Sequence, residues 1–152
     1  MLYVDVRTAA FDHAELTQRL PVDHAVGAVA NFIGYVRNHG DAAHVTGLSL
    51  EHYPNMTEQI LTQHCQHALQ RWSLSGVVLI HRVGTLLLGE PIVGVAVASA
   101  HRQAAFDAVQ YLMDFLKHDA PFWKKEILPT GEQVWVEQKQ TDQAALQRWH
   151  NP

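Results

Sequence analysis

Apolar residues recur along this chain with two different spacings, and each spacing predicts a different kind of element. Segments that alternate apolar and polar positions, or that are continuously apolar and rich in β-branched residues, predict strands. The predicted strands cover residues 2–7, 25–36, about 45–53, 77–83, 92–98, 123–128 and 133–137. The second and third flank a polar turn over residues 37–44, so we expect them to form a hairpin.

Segments whose apolar residues recur three and four positions apart predict helices. The first predicted helix is short: the capping pair Asp12 and Glu15 opens it, and it ends before Pro21. The second covers residues 54–72, and the third covers residues 103–117. Thr141 is expected to cap the fourth, which reaches Trp149. The second has the clearest amphipathic pattern. Its apolar face is formed by Met56, Ile60, Leu61, Cys65, Ala68, Leu69 and Trp72. The apolar positions of the third are Phe106, Val109, Leu112, Met113 and Leu116.

The order of these elements predicts an α+β fold. Several strands follow one another without an intervening helix, which favours antiparallel pairing over a doubly wound parallel sheet. A chain of 152 residues can bury roughly two-thirds of its unfolded surface as one domain. The sequence contains no internal repeat or low-complexity linker. We therefore expect residues 1–152 to form a single domain with mostly antiparallel strands and flanking helices.

Charge is unevenly distributed along the chain. The formal net charge is −4, from 11 lysines and arginines against 15 aspartates and glutamates. General nucleic-acid binding requires a basic face, so this balance argues against it. Five of the 11 cationic side chains nevertheless fall in three short segments: Arg37, Arg102, Lys117, Lys124 and Lys125. If these segments converge, they form a positive pocket in an otherwise acidic protein.

Cysteine content and hydropathy indicate a compartment. Cys65 is the single cysteine, which excludes an internal disulfide framework and is typical of a reducing cytoplasm. The N-terminal residues lack the basic start and apolar core of a secretory signal. No apolar run approaches the ~18 residues that a membrane helix requires. We expect a soluble, cytoplasmic protein with no membrane partner.

Two basic clusters flank the third predicted helix: SAHR at residues 99–102 and LKHDAPFWKKE at residues 116–126. A cation at a helix N-terminus opposes the helix dipole, so His101 and Arg102 are unfavourable there unless an anionic ligand is present. Such a ligand would bind the exposed helix N–H groups and Arg102 together. The simpler alternative for this pair is a surface arginine and a hydrogen-bonded histidine.

The three lysines of the second cluster have different expected environments. Lys117 is near a helix C-terminus, where the dipole favours a cation, so an ordinary solvated lysine is the alternative there. Lys124 and Lys125 are consecutive in a predicted strand, so one can face a pocket while the other faces water. A lysine that acts as a nucleophile or base must lose its proton, which a usual pKa of about 10.4 disfavours. A protonated lysine that donates to a leaving group has no such requirement.

The 11 histidines raise the possibility of a metal site. His64 and His67 share one face of the predicted helix over residues 54–72, with Cys65 between them in sequence. The sequence contains no HExxH pattern and no paired cysteines, so polar decoration of an amphipathic helix is the favoured interpretation, and we expect no metal. Cys65 lies on the apolar face and is expected to be a core residue.

Five motifs in order resemble the large, catalytic subunits of molybdopterin synthase: GAVANFIGYVRNHG, LEHYPNM, IHRVGTLLLGE, SAHRQAAF and LKHDAPFWKKE. The resemblance implies an α/β-hammerhead fold and a central homodimer that carries a small ubiquitin-like subunit on each large one, which makes a heterotetramer. It implies a sulfurtransferase that adds two sulfurs, as a dithiolene, to cyclic pyranopterin monophosphate. The sulfur arrives as a thiocarboxylate on the C-terminal glycine of the small subunit. Neither molybdenum nor ATP is implied at this step, and no cofactor is expected.

The same resemblance assigns site residues through the matching motifs. Lys117 and Lys124 are expected to assist sulfur attack and proton transfer, with Lys117 the first choice for the essential residue. The expected substrate-binding residues are Tyr35, Val36, Arg37, His101, Arg102, Lys117, Lys124, Lys125 and Glu126. One departure from the family pattern is the loop over residues 40–44, which carries Asp41, Ala42 and Ala43 where many members have an arginine.

Two other functions are compatible with the sequence. A noncatalytic adaptor could bind an extended glycine-rich tail in the same basic cleft, with Lys117 and Arg102 holding its carboxylate. A metal-dependent hydrolase built from the histidines is the third possibility. The adaptor predicts tail binding without turnover, and the hydrolase predicts activity that a chelator abolishes.

Overall fold

The structure is a computed structural model that describes residues 1–41, 44–136 and 140–150. Its elements, in chain order, are β1 (Leu2–Arg7), α1 (His13–Thr17), β2 (Ala28–Tyr35), β3 (Gly47–His52), α2 (Met56–Arg71), β4 (Gly76–Arg82), β5 (Gly84–Leu87), β6 (Pro91–Ser99), α3 (Arg102–His118), β7 (Phe122–Ile127), β8 (Gln133–Trp135) and α4 (Gln140–His150).

The strands form two four-stranded sheets. The first sheet has the order β1-β4-β6-β2, and the second has the order β5-β3-β7-β8. Of the pairings in both sheets, β1 with β4 is parallel and the rest are antiparallel. The predicted α+β class with mostly antiparallel strands is therefore confirmed.

The expected hairpin between the second and third predicted strands is wrong. β2 pairs with β6 in the first sheet, whereas β3 pairs with β5 and β7 in the second. The register of β2 shifts between Gly34 and Tyr35. Directly beyond this bulge, the N–H of Val36 donates to the carbonyl of Glu90, 3.0 Å away. The chain is thus held by the turn before β6 and then crosses to the other sheet, which sequence periodicity does not reveal.

β5 is a strand that the sequence analysis missed. It follows β4 after a single residue, because Gly84 adopts a φ of +88°, which glycine reaches without steric cost. This sharp change of direction takes the chain from the first sheet into the second. The predicted strand over residues 77–83 therefore ends where a glycine allows the chain to change sheets.

The helices cover both faces of the first sheet. α2 and α3 pack on one face, where Leu61, Cys65, Tyr111 and Leu112 contact Val95 and its neighbours in one buried cluster. The other face is covered by α1 and the segments around it, through Phe11, Leu16 and Leu20. The capping pair of α1 forms as predicted, since the carboxylate of Asp12 accepts from the N–H of Glu15 at 2.8 Å.

Three smaller expectations differ from the structure. Met56 is 49% exposed and does not join the apolar face of α2, since it is the first helical residue; Thr57 is buried instead. Phe106 is 62% exposed on α3. α4 begins at Gln140, one residue before the predicted cap Thr141, whose side chain is not among those that the structure describes. Glu137, the predicted end of the last strand, lies outside the described residues. No helix in the described part of the chain is long and apolar enough to cross a membrane.

Candidate functional site

A cavity of about 710 Å³ opens where the two sheets meet the C-terminal end of α3. Its wall receives residues from the end of β2, from the loop that follows it, from the last turns of α3 and from β7. Among the side chains that carry chemistry, it includes Tyr35, Arg37, His81, Lys117, Lys124 and Glu126. Both predicted catalytic lysines, Lys117 and Lys124, therefore share one recess with Arg37 within a single protomer.

Lys117 lies in the last turn of α3, where the helix dipole favours a cation. The turn that follows it is anchored by Asp119. The N–H of Asp119 donates to the carbonyl of Phe115 at 2.7 Å, and its carboxylate is 2.7 Å from Nδ1 of His118 and 3.3 Å from Nε2 of His64. α2 thus holds the end of α3 through His64, which restrains the segment that carries Lys117.

β7 directs its two lysines to opposite sides. Lys124 is paired with Leu50, a buried residue, so its side chain points to the inner face that borders the cavity. Lys125 is paired with Ser49 and Trp135 on the outer face, where its Nζ is 4.2 Å from the centroid of the Trp135 ring. Lys124 lines the cavity and Lys125 does not. The sequence predicted that one of the two lysines would face a pocket, and the strand register shows that this residue is Lys124.

Glu126 is a buried carboxylate on the inner face of β7, with 4% of its surface exposed. It packs directly against the main chain of Gly40, so a Cβ at position 40 would overlap its carboxylate group. This contact brings the loop after β2 over the cavity. The sequence departure over residues 40–44 falls on this loop; Ala42 and Ala43 lie outside the described residues.

The main chain before Arg37 is held by two hydrogen bonds between Val36 and the turn that precedes β6. In addition to the bond from its own N–H to Glu90, Val36 accepts a hydrogen bond from the N–H of Gly89 at 2.8 Å. The carboxylate of Glu90 lies 3.7 Å from the guanidinium of Arg82, which is itself buried. Val36 is 3% exposed and points into the core of the second sheet, so its side chain does not line the cavity, contrary to expectation. Tyr35 and Arg37, on either side, do.

His101 and Arg102 do not reach this cavity in one protomer. They are the N-cap and first residue of α3, at the opposite end of the helix from Lys117. Fifteen positions separate Arg102 from Lys117, which is about 22 Å along a straight helix. The basic residues were expected to gather around one recess, within one protomer or shared across a dimer. A single copy of the chain does not bring all of them together, because the helix that carries both groups holds them apart.

His81 is a cavity residue that the sequence analysis missed. It lies on β4, is 8% exposed, and stacks on Phe122 with ring centroids 3.9 Å apart and an angle of 14° between the rings. Burial is the main cause that lowers its pKa to about 4; the Arg82 carbonyl opposes this effect, and the charges of Lys117 and His52 reinforce it. A histidine in a continuously buried strand, as in IHRVG, is the signal that could have identified it.

His64, His67 and Cys65 were the candidate metal ligands that the sequence offered. His64 faces Asp119, whereas Nδ1 of His67 is 2.7 Å from the hydroxyl of Tyr111, so the two histidines have different protein partners. Burial raises the pKa of the Cys65 thiol to about 12. Within residues 1–41, 44–136 and 140–150, no group of three or more histidine, cysteine or acidic side chains is placed to hold a metal ion.

Solved structures share this fold. The molybdopterin biosynthesis MoaE protein from Burkholderia ambifaria superposes with a TM-score of 0.79 at 41% identity, and 100% of each chain is covered. A chain in the complex of subunits 1 and 2 of the molybdopterin-converting factor from Helicobacter pylori gives a TM-score of 0.72 over 90% of this chain and 91% of that one. The second pair is 19% identical, so that likeness concerns the fold alone. The fold is that of the MoaE structures.

Sequence comparison extends this likeness to a family. The model of the family described as MoaE protein matches residues 6–119. The molybdopterin synthase catalytic subunit of Pseudomonas aeruginosa is 50% identical over 147 residues, which are 96% of this chain and 97% of that protein. The chain belongs to the MoaE family.

Proposed function

We propose that this chain is the catalytic subunit of a molybdopterin synthase and a sulfurtransferase. It takes sulfur from the thiocarboxylated C-terminal glycine of a small ubiquitin-like subunit and transfers it to cyclic pyranopterin monophosphate, which becomes the dithiolene of molybdopterin. Family membership supports the reaction class. The observation that carries the proposal is that Lys117, Lys124 and Arg37 line one open cavity.

The chemistry of this cavity suits an anionic substrate and an anionic sulfur donor. A thiocarboxylate and a phosphate are both negatively charged, and ammonium and guanidinium groups are the side chains that bind them most strongly. We assign Arg37, with His101 and Arg102, to the pterin and its phosphate. Tyr35 and Glu126 border the same space. Lys125 and the side chain of Val36 are left out of the proposed site, because one lies on the outer face of β7 and the other in the core.

Lys117 and Lys124 are assigned to the sulfur-transfer steps. Charge shifts between the sulfur, the oxygen that leaves and the substrate as each carbon–sulfur bond forms. Fixed ammonium groups stabilise such developing charge and can donate a proton to the leaving oxygen. This role needs the protonated form of lysine, which is the usual form near neutral pH.

A homodimer would complete the site. A two-fold axis near the middle of α3 would place Arg102 of the partner subunit close to the Lys117 end of the same helix in the first protomer, since the two ends exchange places. The surface that such an axis would bury is partly apolar: Phe32 on the edge strand β2 is 42% exposed, and Phe106 on α3 is 62% exposed. Exposed apolar patches of this kind are typical of subunit interfaces.

The small subunit is the second proposed partner, and with the homodimer it would form a heterotetramer. The Helicobacter pylori structure described above is a complex of two subunits of the molybdopterin-converting factor, which supports this assignment. We place the reaction in the cytoplasm, because the single cysteine is buried and the thiocarboxylate chemistry needs no disulfide.

A product assay tests the proposed function. The purified chain is mixed with thiocarboxylated small subunit and cyclic pyranopterin monophosphate, and the dithiolene is detected after oxidation to a fluorescent pterin derivative. We expect product in proportion to the thiocarboxylate supplied, and none with the ordinary carboxylate form. Binding of the tail without any product, under conditions where a Pseudomonas aeruginosa control is active, would favour the noncatalytic adaptor instead.

A further inference from the structure

His81 is a buried, titratable side chain at the cavity to which the proposed sulfur transfer assigns no role. Val77 and Leu79 point to the same face of β4 and belong to the apolar core beneath α2 and α3. Position 81 continues that face, yet it carries an imidazole that is 8% exposed and forms part of the cavity wall. Each of the two nitrogen atoms of this ring can form a hydrogen bond.

The one hydrogen bond that the ring makes within the described chain decides which nitrogen carries the proton. Nδ1 lies 2.8 Å from the carbonyl oxygen of Arg82. A carbonyl oxygen only accepts, so Nδ1 is the donor. Because burial lowers the pKa of His81 to about 4, the ring is neutral at neutral pH. Nε2, at the tip of the ring and away from the main chain of β4, is then an unprotonated acceptor.

One contact and one electrostatic interaction relate this ring to the proposed catalytic lysines. Its face stacks on Phe122, the first residue of β7, and Lys124 follows two positions later on the same side of the strand. The charge of Lys117 acts on the ring and is one of the causes that lower its pKa. The imidazole also lines the same cavity as the two amines, Lys117 at the end of α3 and Lys124 on β7.

We propose that His81 is a positioning residue for Lys117, with its Nε2 lone pair accepting a hydrogen bond from the Lys117 ammonium group at the cavity wall. The four-carbon stem of lysine is flexible, so an acceptor on a stacked, buried ring restricts where the amine lies. An ammonium group has three N–H donors, which leaves two for substrate or for another protein partner. No proton is transferred to His81. The assignment rests on the proposed sulfur transfer, because it concerns the amine that performs it.

Two substitutions separate the two nitrogens of the ring. The amide of asparagine reaches the position of Nδ1, so His81→Asn keeps a donor for the Arg82 carbonyl and removes the acceptor at the cavity. The amide of glutamine reaches the position of Nε2, so His81→Gln keeps an acceptor there. Both remove the stacked ring. His24→Asn, at an exposed position in the loop after α1, is the control for the loss of a histidine as such. The rate and KM of dithiolene formation are measured for each variant, with urea unfolding on the same samples.

We expect His81→Asn to lower kcat about tenfold or more while KM for the pterin phosphate changes by less than about twofold, because a hydrogen bond to a charged group is lost without loss of substrate contacts. His81→Gln should recover most of that kcat, and His24→Asn should match the wild type. In a Lys117→Ala background, His81→Asn should change the residual rate by less than about twofold, since the residue acts through the amine. Equal kcat values for the asparagine and glutamine variants, or losses that follow the unfolded fraction, would overturn the inference.

A measurement on the unmodified protein keeps the inference testable if the asparagine variant does not fold. The nitrogen NMR shifts of the histidine rings report the tautomer, and we expect His81 to carry its proton on Nδ1 at pH 7. A proton on Nε2, or a charged ring, would leave no acceptor at the cavity wall and would contradict the assignment. A wild-type protein that forms no dithiolene would contradict the proposed function, whereas an active wild type with indistinguishable variants would contradict the role of His81 alone.

Discussion

The two ends of α3 carry similar basic residues in very different surroundings. At the N-terminal end, His101 caps the helix without a side-chain hydrogen bond to it, and His101 and Arg102 are both exposed. At the C-terminal end, the turn after Lys117 is restrained by Asp119, which interacts with His64 on α2. One end presents its cations to solvent, and the other holds its cation at the wall of a cavity.

This difference shows that helix-dipole arguments identify unusual cations better than they identify functional ones. The dipole disfavours a cation at Arg102 and favours one at Lys117, so the sequence indicates a ligand site more strongly at Arg102. In the structure, Lys117 lines the cavity and Arg102 does not. Arg102 lies near the exposed Phe106 on the first turns of α3, so in our account it acts only when a second copy covers that surface.

The largest expected effect concerns the anchored end of α3. We expect Lys117→Ala to lower kcat by about 100-fold to 1,000-fold, the loss typical when one fixed group that stabilises developing charge is removed. Affinity for the small subunit, measured by calorimetry, should be unchanged. Lys125→Ala is the matched control, since it removes a lysine from the outer face of β7, and its kcat should stay within about twofold of the wild type. A similar loss in both variants would contradict the assignment of sulfur transfer to a lysine of the cavity wall.

The anchored end should also be sensitive to acid. The pKa of folded His81 is about 4, below its ordinary value of 6.5, so between these values the unfolded chain binds a proton that the folded chain excludes. Stability therefore rises with pH in this window and is lost as pH falls from about 6.5 towards 4, by roughly 3 kcal/mol at most from this residue. His64, whose pKa is lowered chiefly by burial and raised in part by Asp119, contributes in the same direction.

Urea unfolding at several pH values between 7.5 and 4.5 measures this sensitivity. His81→Asn removes the titrating ring, so its free energy of unfolding should depend less steeply on pH than that of the wild type, while His24→Asn should retain the wild-type slope. Identical slopes in all three proteins would show that His81 is not excluded from protonation by the fold.

The smallest expected effect concerns the exposed end of α3. We expect Arg102→Ala to raise KM for the pterin phosphate about tenfold or more, with kcat nearly unchanged, because a charge-assisted hydrogen bond to the substrate is lost. Arg19→Ala, which removes an exposed arginine that lies over the Tyr3 ring, should have no effect on either constant. A loss in kcat equal to that of Lys117→Ala would mean that the two ends have the same role.

The sequence predicted the elements better than their arrangement. The periodicity of α3 was sufficient to place it within one residue at each end, and the alternation of β7 was sufficient to show that Lys124 and Lys125 diverge. The assignment of β2 and β3 to different sheets depends on a bulge and on backbone hydrogen bonds to residues 89 and 90, which no local pattern encodes. For the same reason His81 was missed, since its surroundings are set by Phe122 and the charge of Lys117, which are distant in sequence.

The basic clusters predicted a candidate anion site, and family resemblance assigned roles to its residues, but both predictions were only partial. Resemblance identified Arg37, Lys117 and Lys124, which the structure brings to one cavity. It also identified His101 and Arg102 without showing that one helix keeps them about 22 Å from Lys117. Distance along a rigid helix is a physical limit that a list of matching residues does not contain.

The central claim is that a complete site draws Lys117 from one copy of the chain and Arg102 from another, and mixed dimers test it directly. Lys117→Ala and Arg102→Ala chains are unfolded together, refolded as a mixture, and assayed for dithiolene formation at a substrate concentration below KM. If the site is shared, each mixed dimer contains one site with both wild-type residues, and activity should recover to about a quarter of the wild-type value. If the mixture is no more active than the average of the two separate variants, each site is built within one protomer and the account is wrong.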